Sequence, residues 1–264
     1  MTHRNLARNL GSRSGFTLIE LVIVLLILAA LAGLVIPAIG MLGRSTDMAV
    51  SAKTQSDLSA NTQLFFVLQK RYPQGLDSLL DTTGAIYGSD TTDANTQTRG
   101  LPYGGADGTR VEAELTVGTL TGNYRRSFSR SGFDWVFDHD TTVTNSNNSA
   151  TTQRVVSSGD ILVAEVNPTG ALALKLVPQG LQSGERLVAL GFGPRNSAIG
   201  KTVTNSPIYP GCDGKYYGRY ILYFKVYASG ERATIVGCSD SYGRTPDYTQ
   251  QQFNESLPDG GRQG

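Results

Sequence analysis

A long run of mostly apolar residues lies near the start of the chain. Between Glu20 and Arg44 no residue carries a charge. A helix of about 20 apolar residues crosses a bilayer core of roughly 30 Å. Residues 16–43 therefore predict a transmembrane helix. Gly33 and Pro37 interrupt it, and proline bends a helix because its ring removes a backbone donor and clashes with the preceding turn.

Residues 44–72 predict an amphipathic continuation of the same helix. Leu58, Phe65, Leu68 and Tyr72 recur at spacings of seven, three and four, which places them on one helical face. Polar residues fill the other face, and neither glycine nor proline occurs in this stretch. Pro73 then predicts the end of the helix at about residue 71.

The rest of the chain predicts a connection followed by a β-rich region. Residues 73–109, rich in Gly, Thr, Asp and Asn, predict a long surface connection with one helical turn at residues 76–80. Later apolar segments are short and separated by turn signals, which is typical of strands. The predicted strands are residues 111–117, 133–137, 160–166, 171–177, 217–227 and 232–236, with residues 185–192 as either a strand or a short helix. Residues 141–153 predict a loop and residues 244–264 a loosely held tail.

The residues around the start of the apolar run carry a specific motif. Residues 1–15 contain three arginines and no acid, and positive charge keeps that flank of a span cytoplasmic. Gly15-Phe16-Thr17-Leu18-Ile19-Glu20 follows. This combination resembles the N-terminal signature of the type IV pilin superfamily, which includes type IV pilins and the pseudopilins of type II secretion. The resemblance implies that a prepilin peptidase cleaves between Gly15 and Phe16 and methylates the new amine of Phe16. The alternative is an uncleaved single-span anchor.

Glu20 is an acid inside the predicted span, where a charge costs about 2.5–3.5 kcal/mol on insertion scales. No Lys or Arg lies between residues 16 and 43, so the nearest cation after cleavage is the ammonium group of Phe16. The resemblance implies that Glu20 pairs with this amine on a neighbouring subunit and sets the stagger of subunits. Alternatively, Glu20 lies near the membrane interface and reaches water. For the helix near Pro37, the resemblance implies loosening during assembly, and the alternative is a static bend.

Composition and cysteine content narrow the functional classes. The net charge of +1 does not by itself favour a nucleic-acid partner. Cys212 and Cys238 predict a disulfide in an oxidising compartment such as the periplasm, and the enclosed loop contributes about 3–4 kcal/mol in the chain-entropy model. The predicted hairpin places Cys238 opposite residues 220–221, so the bridge pins a loop to the sheet. The alternative is two free buried thiols.

The sequence contains no recognisable set of catalytic residues. We therefore expect that the protein is not an enzyme and binds no cofactor. His3 lies in the predicted leader, and His139, between Asp138 and Asp140, is interpreted as a solvated strand end. Three acids near the cysteines are weak calcium candidates, because calcium requires several oxygen ligands and their spacing matches no known calcium loop. These candidates are Asp213, Asp240 and Asp247.

The resemblance implies an α+β, pilin-like fold: a long N-terminal helix, transmembrane in its first half, packed on a C-terminal antiparallel β-sheet head. The predicted segments are a leader (1–15), a transmembrane and assembly segment (16–43), an amphipathic helix (44–72), a connection (73–109), a β-rich head (110–243) and a polar tail (244–264).

The function that the resemblance implies is that of a structural subunit of a type IV pilus or a type II secretion pseudopilus. Its partners are copies of itself, other pilin-like subunits, the prepilin peptidase and an inner-membrane assembly platform with its ATPase. Its location is the bacterial inner membrane with the head in the periplasm, and then a filament. The rival is a membrane-tethered minor pilin that acts as an adhesive or DNA-uptake module, for which Arg125, Arg126 and Arg130 form the candidate basic cluster.

Overall fold

A computed structural model describes residues 17–88, 100–102, 111–139, 150–156, 159–214 and 216–255, without the side chains of residues 34–45, 112, 151, 252, 253 and 255. The chain divides into two units, Met1–Gly43 and Arg44–Gly264. The predicted leader, residues 141–149 of the predicted polar loop and residues 256–264 of the predicted tail lie outside the described residues.

Helix α1 (Leu18–Gln69) includes the amphipathic stretch, and its buried positions follow the helical period. They are Ser51, Gln55, Leu58, Thr62 and Phe65, each no more than 2% exposed. This stripe confirms one buried face on the helix.

The end of α1 differs from the prediction. Lys70 has a left-handed φ of 57° and its N–H donates to the Phe66 carbonyl at 2.8 Å, which terminates the helix before Pro73. Leu68 is 62% exposed, so its predicted place on the buried face is wrong. Tyr72 is buried, but it lies beyond the helix and reaches the core through the irregular backbone.

The second unit contains eight strands and four further helices among its described residues. In chain order they are β1 (Asp77–Asp81), α2 (Val111–Glu114), β2 (Leu115–Leu120), α3 (Gly122–Arg130), β3 (Trp135–His139), β4 (Ala150–Val155), β5 (Ile161–Val166), α4 (Ala171–Leu176), β6 (Glu185–Gly191), β7 (Ile221–Tyr227), β8 (Thr234–Ser239) and α5 (Pro246–Glu255).

All eight strands belong to one sheet. The order is β2-β5-β6-β1-β3-β4, and β7 pairs with both β6 and β8. The pairing of β6 with β7 is antiparallel over the full length of both strands, from Glu185 opposite Tyr227 to Gly191 opposite Ile221. However, β1 pairs with β3 in parallel, so the sheet is mixed and the prediction of a purely antiparallel sheet is wrong. A parallel pair requires a long crossover, which the chain between β1 and β3 provides.

Several segments adopt a structure that the sequence did not predict. Residues 111–114, predicted as part of a strand, form helix α2, and residues 150–153, predicted as part of a loop, lie in strand β4. Residues 76–80, predicted as a helical turn, lie largely in strand β1, because β1 pairs with β3 on one side and β6 on the other. Residues 171–177, predicted as a strand, form mainly helix α4, whose Ala, Leu and Lys residues have high helix propensity. The predicted loose tail begins with helix α5.

Alternate residues of the central strands face two separate cores. Val188 of β6 and Phe224 of β7 belong to one cluster, which also contains Leu58 of α1. Their neighbours Ala189 and Tyr223 belong to the other cluster. Because side chains alternate across a strand, the two clusters lie on opposite faces of the sheet. The described stretch of α1 that follows residue 45 therefore packs on one face of the sheet.

Candidate functional site

Helix α1 begins with reciprocal hydrogen bonds between Thr17 and Glu20. The backbone N–H and the hydroxyl of Thr17 both donate to Glu20 Oε2, at 2.8 and 2.9 Å. The Glu20 N–H donates back to Thr17 Oγ1 at 3.4 Å. This is the capping-box arrangement, which satisfies backbone donors at the start of a helix. Thr-x-x-Glu is the sequence signature of a capping box. The spacing of Thr17 and Glu20 could therefore have identified Thr17 as a capping residue, which our sequence analysis did not do.

The start of α1 exposes apolar side chains all around its circumference. Between Leu18 and Leu31 the large apolar side chains are 43–83% exposed. No helix in the part of the chain that the structure describes, which omits the side chains of residues 34–45, is both long and apolar enough to cross a membrane.

The other residues predicted to act in processing and assembly are only partly described. Gly15 and Phe16, the predicted cleavage site, lie outside the described residues. Pro37 lies inside α1, which continues through it to Gln69, while its side chain is outside the description.

Cys212 and Cys238 are both free thiols in the structure, which therefore does not contain the predicted disulfide. Cys238 lies opposite Leu222 in the β7–β8 pairing, one residue beyond the predicted position. Cys212 is half-buried and packs against the buried cluster to which Cys238 belongs. Burial raises the pKa of Cys212 to about 11 and that of Cys238 well above its ordinary value, so both thiols are protonated at neutral pH.

Asp240, one of the three calcium candidates, is engaged in a buried ion pair. Its carboxylate accepts the backbone N–H groups of Tyr242 and Arg244, both at 3.0 Å, and the Arg244 Nε–H at 2.8 Å. The Arg244 guanidinium also lies 5.0 Å from the ring centre of Tyr209 and 4.7 Å from that of Tyr242. Asp213 and Asp247 are exposed. Among the described residues, no three His, Cys, Asp or Glu side chains are arranged to hold a metal ion.

Asp77 is an acid that the sequence analysis did not single out. It is 1% exposed, and its Oδ2 accepts the hydroxyl of Tyr217 at 2.9 Å. A methyl group at Gly193 would collide with Asp77 Oδ1, and one at Gly191 would collide with the Tyr217 hydroxyl. Burial raises the pKa of Asp77 to about 7, against the opposing effects of the Tyr217 hydrogen bond and of nearby arginine charges.

His139 lies beside this pair, and the prediction of a solvated strand end is wrong. The side chain is fully buried because β3 lies inside the sheet between β1 and β4. Its ring stacks on Tyr87 with a centroid distance of 4.1 Å and meets the edge of Tyr217 at 5.1 Å. Burial lowers the pKa of His139 to about 3, so the imidazole is neutral at physiological pH. The side chains of Asp77 and His139 are both buried. Their protonation state therefore affects the stability of the head.

Comparison with known proteins identifies the N-terminal segment. Residues 10–36 match the family model described as the prokaryotic N-terminal methylation motif, which is the prepilin-type motif of type IV pilins and pseudopilins. The match confirms the resemblance drawn from Gly15, Phe16 and Glu20, and it supports a pilin- or pseudopilin-type substrate of prepilin peptidase. Comparisons with curated proteins and with solved structures gave no match.

Proposed function

We propose that the chain is a structural subunit of a type IV pilus or a type II secretion pseudopilus. In this proposal a prepilin peptidase cleaves after Gly15, methylates the amine of Phe16, and the processed chain polymerises through its N-terminal helix. The motif match at residues 10–36 supports the processing step. The proposal assigns the chain no catalytic activity of its own.

The single observation that carries the polymerisation step is the exposure of the apolar start of α1. Side chains that are apolar on every side of a helix require lipid or other protein around them. At about 25 cal/mol per Å² of apolar surface removed from water, packing many such segments together supplies a large stabilising free energy. In this proposal the segment lies in the inner membrane before assembly and in the filament interior after it.

Glu20 supplies register in this proposal. Both hydrogen bonds from Thr17 end on the same carboxylate oxygen, Oε2. A carboxylate offers about four lone-pair sites on two oxygens, so Glu20 retains acceptor capacity for an ammonium group. The proposed donor is the methylated amine of Phe16 on a neighbouring subunit. That pair neutralises a charge which is otherwise unfavourable in an apolar environment.

The location and partners follow from the same reasoning. The subunit is held in the bacterial inner membrane by residues 16–43, with its head in the periplasm, and then enters a pilus or pseudopilus. Its partners are further copies, other pilin-like subunits, and the membrane assembly platform whose ATPase supplies the work of extraction.

Mass spectrometry and electron microscopy test the two halves of this proposal separately. The full chain is expressed with and without a prepilin peptidase and assembly platform. We expect a mature N-terminus at Phe16 carrying one added methyl group, and filaments only when both components are present. An intact Met1 terminus in the presence of the peptidase overturns the processing step. A processed chain that stays unassembled beside an active platform overturns the polymerisation step.

A further inference from the structure

Helix α3 presents an unusual concentration of positive charge. It carries Arg125, Arg126 and Arg130, and the sequence from residue 115 to residue 133 contains no acid. Arg126 and Arg130 are one helical turn apart, and like charges at this spacing repel one another. No carboxylate neighbouring in sequence neutralises these guanidinium groups.

These arginines line a cavity of about 320 Å³. Its wall also includes Gly122, Asn123 and Ser129, and no described lining residue is acidic. Gly122 and Asn123 form the first turn of α3, and Thr121 at the N-cap position makes no side-chain cap hydrogen bond. The cavity thus combines three cationic forks with the N–H end of a nine-residue helix, and both features favour an anion.

The turn between β7 and β8 holds this wall in place. Arg130 Nη1 donates to the Gly230 carbonyl at 3.1 Å, and Asn123 Nδ2 donates to the Ala228 carbonyl at 2.9 Å. The Ser127 hydroxyl accepts the Tyr227 N–H at 3.1 Å on the buried side of α3. Since helix and turn are joined at three points, the backbone of α3 and the side chain of Arg130 are held before any ligand arrives, which lowers the entropic cost of binding.

We propose that this cavity binds a small soluble phosphate ester or diphosphate. Guanidinium groups match phosphate oxygens in bidentate geometry, and the cavity volume lies within the range of small-molecule sites. No described lining residue is aromatic, so the wall lacks the stacking platform that single-stranded nucleic acids use. None of the described lining residues belongs to residues 16–43, and the inference does not depend on the proposed function.

Isothermal titration calorimetry on the full chain in detergent tests the site with inorganic pyrophosphate and with glycerol 3-phosphate. The variant is the double substitution Arg125→Gln with Arg126→Gln. The matched control is Lys53→Gln with Lys201→Gln, which removes the same charge from exposed positions elsewhere. We expect binding at low salt, at least a tenfold loss of affinity in the arginine variant, and an unchanged affinity in the lysine control.

Three results overturn the proposal. The first is the absence of binding by both phosphate probes at low salt. The second is an equal loss in the arginine and lysine variants, which indicates a general charge effect. The third is equal affinity for sulfate at matched ionic strength. Binding of a single-stranded oligonucleotide without binding of either small probe is a case of the first result. Circular dichroism of both double variants confirms that a lost affinity is not a lost fold.

Discussion

Thr17 and Glu20 exchange three hydrogen bonds at the start of α1. Glu20 is therefore a helix-capping residue in the single chain as well as the proposed register residue of the filament. The two roles need different chemistry, because a cap requires an acceptor oxygen whereas pairing with an ammonium group requires the negative charge. A substitution that keeps the oxygen and removes the charge separates them.

The first prediction concerns Glu20→Gln. Glutamine also serves at this position of a capping box, so we expect α1 to form normally while filaments are lost. Thr17→Ala is the converse variant: it removes the cap, at about 0.5–2 kcal/mol, and keeps the acid. We expect this variant to assemble. Electron microscopy counts the filaments, and mass spectrometry confirms that both variants are processed. Normal filaments from Glu20→Gln exclude the charge as the source of register.

The second prediction concerns the pH dependence contributed by Asp77. Its folded-state pKa is raised by burial from 3.8 to about 7, so the folded head favours the protonated acid. This contribution to stability is fully present below pH 3.8 and is lost as the pH rises to about 7. At about 1.4 kcal/mol per pKa unit, the loss is about 4 kcal/mol. We expect Asp77→Asn to abolish this loss.

Urea unfolding followed by fluorescence of Trp135, the single tryptophan, measures this effect on the full chain. The wild type and Asp77→Asn are compared at pH 5 and pH 8. We expect the variant to gain stability relative to the wild type on moving to the higher pH. Parallel pH profiles for the two proteins contradict the assignment.

The third prediction concerns His139, for which the stability of the head changes with pH in the opposite direction. Burial lowers its pKa from 6.5 to about 3, so the unfolded chain binds a proton that the folded head does not. Stability is therefore lost as the pH falls below 6.5. The variant His139→Phe keeps an aromatic ring beside Tyr87. We expect its stability to fall less than that of the wild type when the pH is lowered. A variant that remains equally acid-sensitive excludes His139 as the cause.

The sequence predicted the elements whose signal is local. The buried face of α1 follows from the spacing of Leu58 and Phe65, and strands β5 and β7 follow from their apolar composition. Strand β1 could not be predicted in this way, because its pairing with β3 and β6 comes from residues far along the chain. In α4 the helix propensity of Ala, Leu and Lys prevailed over the short apolar segment beside a turn signal, which we had interpreted as a strand.

The candidate sites divide in the same manner. The processing motif around Gly15 and the acid Glu20 are contiguous in sequence and were recognised from it. The contact between Asp77 and Tyr217 joins residues far apart in the chain, and only the fold brings them together. His139 was misjudged because its two flanking acids suggested solvent, whereas β3 lies inside the sheet.

The fourth prediction concerns the cysteines, which are free thiols in the structure. Cys212 packs against the cluster that contains Cys238, so we expect oxidation to join them when the head is exported to an oxidising compartment. The bridge then adds about 3–4 kcal/mol in the chain-entropy model. Mass spectrometry without reductant measures the pairing, and unfolding with and without reductant measures the gain. Cys212→Ser is the control, in which reductant has no effect; two free thiols in exported protein refute the prediction.

The fifth prediction concerns the buried pair of Asp240 and Arg244. Removing one member of such a pair leaves an uncompensated buried charge, which costs about 3–5 kcal/mol. We therefore expect Asp240→Asn to lower the urea midpoint strongly, and Asp247→Asn, an exposed acid in the first turn of α5, to lower it only slightly. The double variant Asp240→Asn with Arg244→Gln recovers part of the loss, since the unpaired cation is then gone.

Because Asp240 is engaged by an arginine, we expect that added calcium does not raise the urea midpoint of the wild type. A calcium-dependent rise that Asp240→Asn abolishes instead assigns this acid to a metal site.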